Sequence, residues 1–169
     1  TTNTFKKATA FRMSTDAEPE LTKESGFHPQ TSQLTRNFTE YSGYWLANSY
    51  TNHGAVDEYW ATRQKAGIID LSPLRKYEVT GPDAELLLQT CVTRNIRRLA
   101  VGQVVYTAMC YDTGGMIDDG TVYRLGQNNF RWIGGSDASG LWLRKQAEKR
   151  GLQVWVRDAT DQLHNVQVQ

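Results

Sequence analysis

Two apolar stretches, 104–110 and 116–125, flank the polar tetrapeptide Asp112-Thr113-Gly114-Gly115. Strand-like runs joined by a short turn, with glycines where positive φ is needed, specify a β-hairpin. The hairpin constrains its surroundings strongly, because strand residues alternate faces and the turn fixes which residues lie opposite one another. Pairing Tyr111 with Met116 across the turn sets Ala108 opposite Asp119 and Tyr106 opposite Thr121. Tyr106, Asp119 and Tyr123 then share one face, while Asp118 lies on the other with Met116, Gly120 and Val122.

Whichever face packs inward, one acid of the Asp118-Asp119 pair meets a largely apolar surface. A carboxylate in that position must be hydrogen-bonded or have its ionisation shifted. An acid flanked by two tyrosines, with small Ala108 leaving room above it, makes a floor for a planar aromatic ligand. The competing reading is structural: both acids cap backbone amides near a bend, and Gly120 marks a bulge. These residues alone leave the two readings open. A calcium loop is a poorer fit, since Asp112-Thr113-Gly114-Gly115 lacks the alternating oxygen ligands that ion requires.

Around the hairpin the pattern predicts further elements. Val56, Tyr59, Trp60 and Arg63 recur at helical spacing over 55–65, with Gly67 as the stop. Arg75 to Thr80 alternates as a strand, Tyr77 and Val79 on one side and Lys76 and Glu78 on the other. Pro82 and Asp83 open a helix whose buried face is expected to be Leu86, Leu87, Leu88 and Cys91. A strand over 130–133 follows the hairpin. Ser136 or Asp137 then caps a helix reaching about Lys149, closed by Gly151. Strands are expected at 152–157 and 163–168. From Arg75 the order β-α-β-β-β-α-β-β implies an α+β protein with largely antiparallel sheet, helices on one face and ferredoxin-like β-α-β-β units. Trp132, Trp142 and Trp155 read as core anchors. The loop Gly134-Gly135-Ser136-Asp137 matches no phosphate-binding spacing and reads as a helix cap.

Residues 1–37, with Pro19 and Pro29 and no sustained periodicity, are expected to form a polar arm or extension, and 38–169 the domain proper. The aromatic cluster Phe38, Tyr41, Tyr44, Trp45 and Tyr50 reads as anchors for that arm rather than as a ligand lining. The segment from Phe5 to Arg12 is basic and free of acids, faintly like a transit peptide, and Met13 is a candidate start. The closing alternation Val166-Gln167-Val168-Gln169, with no turn after it, suggests a fragment of a longer chain.

A net charge of +1 gives no broad field for nucleic acid or an anionic membrane. Arg94, Arg97 and Arg98 read as a solvated edge, and no apolar run approaches the ~20 residues of a spanning helix. Cys91 and Cys110 share no metal or redox spacing and read as free thiols of a reducing compartment. His28, His53 and His164 fit no zinc pattern.

The run Gly-Gly-Met-Ile-Asp-Asp-Gly-Thr-Val-Tyr at 114–123 resembles the signature of the glycine-cleavage T-protein (aminomethyltransferase) family. The similarity continues in order through Ala61-Thr62-Arg63, Ala66 to Ser72, Gly81 to Ala84, Val105 to Met109 and Val156-Arg157-Asp158, covering roughly 38–169. The resemblance implies a T-protein type of folate-binding fold and transfer of an aminomethyl unit from the lipoyl arm of a carrier protein to tetrahydrofolate. It assigns the central catalytic acid to Asp119, folate contacts to Tyr106 and Tyr123, and an apolar pterin contact to Leu74. The family's Ser-His-Met segment reads Ser72-Pro73-Leu74 here, and its Phe-Ala-Gly-Trp entry reads Tyr41-Ser42-Gly43-Tyr44-Trp45. Related members imply two alternatives: a folate-dependent demethylase of a small S-, O- or N-methyl compound, and a non-catalytic folate-binding assembly factor. A whole T-protein is longer and completes the folate site from its later part. The implied location is cytoplasmic, or mitochondrial in a eukaryote.

Overall fold

The computed structural model describes residues 10–11 and 20–169. The basic segment up to Arg12, apart from Ala10 and Phe11, and the candidate start at Met13 lie outside the described residues. The chain forms two compact units: the described residues up to Pro73 with His164–Gln169, and Leu74–Leu163.

In the first unit β1 (Ala10–Phe11) pairs antiparallel with β2 (Glu20–Leu21). A three-stranded sheet joins β3 (Lys23–Glu24), parallel, and β4 (Phe38–Tyr41), antiparallel, to the central β5 (Tyr44–Ala47). Ser42 and Gly43 connect β4 to β5 with φ of 49° and 85°, the two positive values a tight hairpin turn demands. Between β3 and β4 lies α1 (His28–Leu34), which places the His28 ring 4.7 Å from the Phe38 ring. After α2 (Ala55–Gln64), β6 (Ile68–Asp70) pairs antiparallel with β12 (Val166–Val168), so the final strand completes this unit. The helix predicted over 55–65 is present, but its apolar stripe is not a core face. Val56, Tyr59 and Trp60 are each at least half exposed, and α2 buries none of its residues.

The second unit is a five-stranded antiparallel sheet in the order β11-β7-β10-β9-β8. Its elements run β7 (Arg75–Thr80), α3 (Ala84–Cys91), β8 (Val104–Cys110), β9 (Met116–Gly126), β10 (Asn129–Gly134), α4 (Asp137–Arg150) and β11 (Trp155–Asp158). This is the α+β, largely antiparallel arrangement the pattern predicts, with a β-α-β-β run from β7 to β9. The helices cover one face. Ala84, Leu87, Leu88 and Cys91 of α3 and Leu143 and Ala147 of α4 meet Tyr77, Val79, Met109, Val122, Phe130 and Trp132 in one core. Burying a large apolar side chain contributes about 1.5–3 kcal/mol, so this cluster fixes which sheet face points inward.

Three sequence expectations are corrected here. Leu86 is 38% exposed, because the inward stripe of α3 runs through Ala84, Leu87, Leu88 and Cys91. Trp155 is 68% exposed and anchors no core, since alternation along β11 turns Val156 inward instead. Pro82 sits in the turn before α3, and Asp83 spends its carboxylate on the Gln153 amide at 2.7 Å. The α4 cap is Ser136, whose Oγ accepts from the Ala138 amide at 3.1 Å, and Gly151 closes the helix at φ 62°.

Candidate functional site

The face of the second sheet opposite α3 and α4 carries the residues singled out by the hairpin argument. Ala108 pairs with Asp119, Tyr106 with Thr121 and Val104 with Tyr123. The inferred register is therefore present, although its stated anchor is not: Met116 pairs with Cys110 rather than Tyr111. A bulge between Met109 and Cys110 absorbs the difference, and the Tyr111 amide donates to the Gly115 carbonyl at 2.8 Å. Tyr106, Asp119 and Tyr123 share the open face as expected.

The two neighbouring acids meet opposite fates. Asp118 faces inward and is 8% exposed. Its Oδ1 accepts from the amides of Asp119 (3.0 Å) and Gly135 (3.1 Å), and its Oδ2 from the amide of Ser136 (3.2 Å). The amide-capping reading thus holds for Asp118. Asp119 is exposed on the open face, where the Tyr106 hydroxyl donates to its Oδ2. The two are diagonal neighbours across the hairpin, within reach of an aromatic side chain. That hydrogen bond to the Asp119 carboxylate, then desolvation and the nearby negative charges, push the Tyr106 phenol above its ordinary pKa. Tyr106 is 60% exposed, so its ring surface is open to a ligand.

Leu74 is half-buried immediately before β7, where Arg75 pairs with Gly134 and Gly134 with Gly120. The register puts it near the Asp119 end of the sheet but two strands away, about 10 Å at ordinary strand spacing. The structure thus brings Tyr106 onto Asp119, keeps Tyr123 on the same face, and leaves Leu74 at its margin.

One feature beside Tyr123 is not legible in the sequence. Arg131 pairs with Tyr123 on one side and Glu78 on the other, and Glu78 pairs with Arg157. Arg131 Nη2 donates to Glu78 Oε1 at 3.0 Å and Arg157 Nη2 to Oε2 at 2.5 Å. The Arg157 hydrogen bond, and then that of Arg131, holds the Glu78 carboxyl below its ordinary range against the opposing effect of burial. The only sequence signal is the strand alternation that separates Glu78 from Tyr77 and Val79; its partners come from strands far away in sequence.

The arrangement offers an accessible acceptor-only carboxylate, a phenol locked onto it, a second tyrosine and small Ala108 alongside. Such a surface takes a flat ligand with N–H donors at its edge. The described residues contain no group of three or more His, Cys, Asp or Glu placed to hold a metal ion.

The model of the GCVT N-terminal domain family matches residues 27–169. Among curated proteins, the trimethylamine-oxide aldolase of Ruegeria pomeroyi is 57% identical over 166 residues, covering 98% of this chain and 21% of that protein. The aminomethyltransferase of Herpetosiphon aurantiacus is 30% identical over 150 residues, covering 87% of this chain and 40% of that protein. The aminomethyltransferase of Halothermothrix orenii is 37% identical over 123 residues, covering 70% and 33%. The chain therefore spans well under half the length of these relatives. The solved glycine cleavage system aminomethyltransferase T of Bartonella henselae has the same fold, with a TM-score of 0.74 at 22% identity over 88% of this chain and 40% of that one.

Proposed function

The chain belongs to the GCVT N-terminal domain family, and from that premise we propose that it forms the acid-bearing part of a tetrahydrofolate site that receives one-carbon units. The observation that carries this reading is the exposed Asp119 carboxylate, engaged by Tyr106 on an open sheet face that also presents Tyr123. The donor set fits a reduced pterin, whose reduced ring carries N–H groups that an acceptor-only carboxylate matches. When bound, tetrahydrofolate supplies the nucleophilic nitrogens on which one-carbon chemistry depends. Asp119 orients the cofactor at those nitrogens and receives a proton as one of them reacts. Tyr106 holds the Asp119 carboxylate in place, and Tyr123 with Leu74 limits where the ring system lies. Positioning of this kind supplies much of the rate in a group transfer.

The carbon donor has two readings. A small N-methyl compound is favoured by the relative at 57% identity over nearly the whole chain, a trimethylamine-oxide aldolase. An aminomethyl group on the lipoyl arm of a carrier protein is supported by the aminomethyltransferase relatives and by the intact Asp118-Asp119 pair. Carbon-13 label followed from each donor into tetrahydrofolate, in the longest polypeptide that carries this chain, separates them.

Calorimetric titration of tetrahydrofolate into the longest polypeptide that carries this chain, beside Asp119→Asn and Tyr123→Ala, tests the site itself. Saturable binding that weakens about tenfold in each variant, the loss of roughly one good contact, supports the reading. Absence of binding at millimolar concentration in that unaltered polypeptide would sink it.

A further inference from the structure

We propose that Asp118 is a positioning residue that sets the direction of the Asp119 carboxylate by clamping the Asp119 amide and the β10–α4 loop onto one buried carboxyl group. As it concerns ligand affinity, this rests on the folate reading above; as it concerns the Tyr106–Asp119 pair, it rests on geometry alone.

The clamp closes a gap in the sheet. The Thr93 amide donates to the Ala108 carbonyl at 3.0 Å, outside the hairpin. Ala108 therefore turns its backbone polar groups away from β9, and its partner Asp119 turns its own toward β10. The β9–β10 ladder ends at the Gly120–Gly134 pair, one residue before it could serve Asp119. At that point the Asp119 and Gly135 amides both donate to Asp118 Oδ1, and the Ser136 amide donates to Oδ2. A single carboxylate thus satisfies three donors that the strand ends leave over, at a place where an unpaired buried amide is costly.

The carboxyl has little freedom to shift. A Cβ at Gly134 would meet Asp118 Oδ2 and Trp132 Nε1, and a Cβ at Gly120 would meet the Ile133 carbonyl. Trp132 Nε1 in turn donates to Ser139 Oγ at 3.1 Å, and Ser139 Oγ donates to the Ser136 carbonyl at 2.7 Å. The loop that Asp118 grips is therefore fixed from its far side as well. Because the Asp119 side chain leaves the backbone at the clamped peptide, the direction in which it meets Tyr106 follows from the position of Asp118.

The test reads the Tyr106 phenol, which Asp118 does not touch. With the tyrosine Cζ carbons labelled with carbon-13, pH titration is followed by NMR in the unaltered chain and in Asp119→Asn, Asp118→Asn and Asp118→Glu. Asp118→Asn keeps the size but turns an N–H toward the Ser136 amide; Asp118→Glu keeps the charge and displaces the oxygens. The clamp requires the Tyr106 midpoint to fall in both Asp118 variants, in the direction seen for Asp119→Asn, with near-UV dichroism still that of a folded protein. A fall in Asp118→Glu cannot come from loss of the Asp118 charge. If Asp118→Glu does not fold, Gly134→Ala, which pushes on the same oxygen with both acids retained, takes its place. A Tyr106 titration unchanged in the folded variants overturns the proposal and leaves Asp118 a local cap. In parallel, tetrahydrofolate affinity is expected to drop about tenfold in Asp118→Asn, the cost of displacing a contact group. Failure of the longest unaltered polypeptide that carries this chain to bind folate removes the folate reading while the Tyr106 titration still decides the clamp.

Discussion

Asp118 and Asp119 are chemically identical and adjacent, yet one is a buried acceptor of three backbone amides and the other an exposed partner of a phenol. Alternation along the strand creates the difference, and it gives opposite expectations for substitution. Asp118→Ala strips a buried carboxylate from three donors and should destabilise the fold by about 1–3 kcal/mol or more, read as a lowered urea midpoint. Asp119→Ala lies on the open face and should change stability by less than about 0.5 kcal/mol while weakening folate binding. Equal losses of stability in the two variants would contradict the assignment. Tyr77 gives a second expectation. Burial, and then the charge of Asp137 hydrogen-bonded to its hydroxyl at 3.2 Å, raises the Tyr77 phenol well above its ordinary 10.0. A raised folded pKa means that the native state holds the proton longer than the unfolded chain, so stability is unaffected below about pH 10 and falls as pH rises further. Tyr77→Phe cannot ionise and should flatten that alkaline decline, at a cost of about 0.5–1.5 kcal/mol at neutral pH for the lost hydrogen bond. Denaturation midpoints between pH 8 and about pH 11 check both halves.

At the scale of the strand, the row Tyr123–Arg131–Glu78–Arg157 crosses four strands of the sheet and joins the proposed site to an ion-pair network. Glu78 is held below its ordinary carboxyl range by the two arginines, Arg157 first. A depressed folded pKa contributes stability that is present above the unfolded value and lost as pH falls through the folded one. Because Arg157 is largely exposed and solvent screens it, Glu78→Gln should cost only about 0.5–1 kcal/mol at pH 7. That difference from the unaltered chain should shrink steadily as pH is lowered below about 4.5. A gap that persists at pH 3 would show that packing rather than charge is responsible. The contrast with the hairpin shows what sequence can carry. Tyr106, Asp119 and Tyr123 were legible together because a turn and a period of two relate them locally, even though the bulge at Met109/Cys110 moves the assumed anchor by one residue. The partners of Glu78 lie 53 and 79 positions away, and no local pattern encodes such a pairing. Trp155 and α2 misled for a related reason: aromatic content and helical spacing mark an element, but what covers it depends on tertiary contacts.

At the scale of the molecule, the unit 74–163 should fold without the rest of the chain. Its core draws only on its own residues, from Tyr77 on β7 to Val156 on β11. Its sheet is complete within the same span, and Lys76, near the start of β7, is bound into the unit's far end. The Ala159 amide donates to the Lys76 carbonyl at 2.8 Å, and the Lys76 amide donates to Thr160 Oγ1 at 3.0 Å. A small α+β unit with one continuous core satisfies what independent folding asks of a chain of this size. The first unit stands differently, since β12 reaches β6 only after the chain has passed through the entire second unit. Residues 74–163 expressed alone should therefore unfold in a single cooperative urea transition, with the Tyr106 phenol still titrating above its ordinary value. Residues 20–73 expressed alone lack β12 and should show no such transition. A non-cooperative 74–163 fragment would mean that the acid-bearing sheet needs residues outside its own unit. A cooperative fragment that loses the Tyr106 signature would separate the fold from the site: the core would be self-sufficient, and the placement of Asp119 would not.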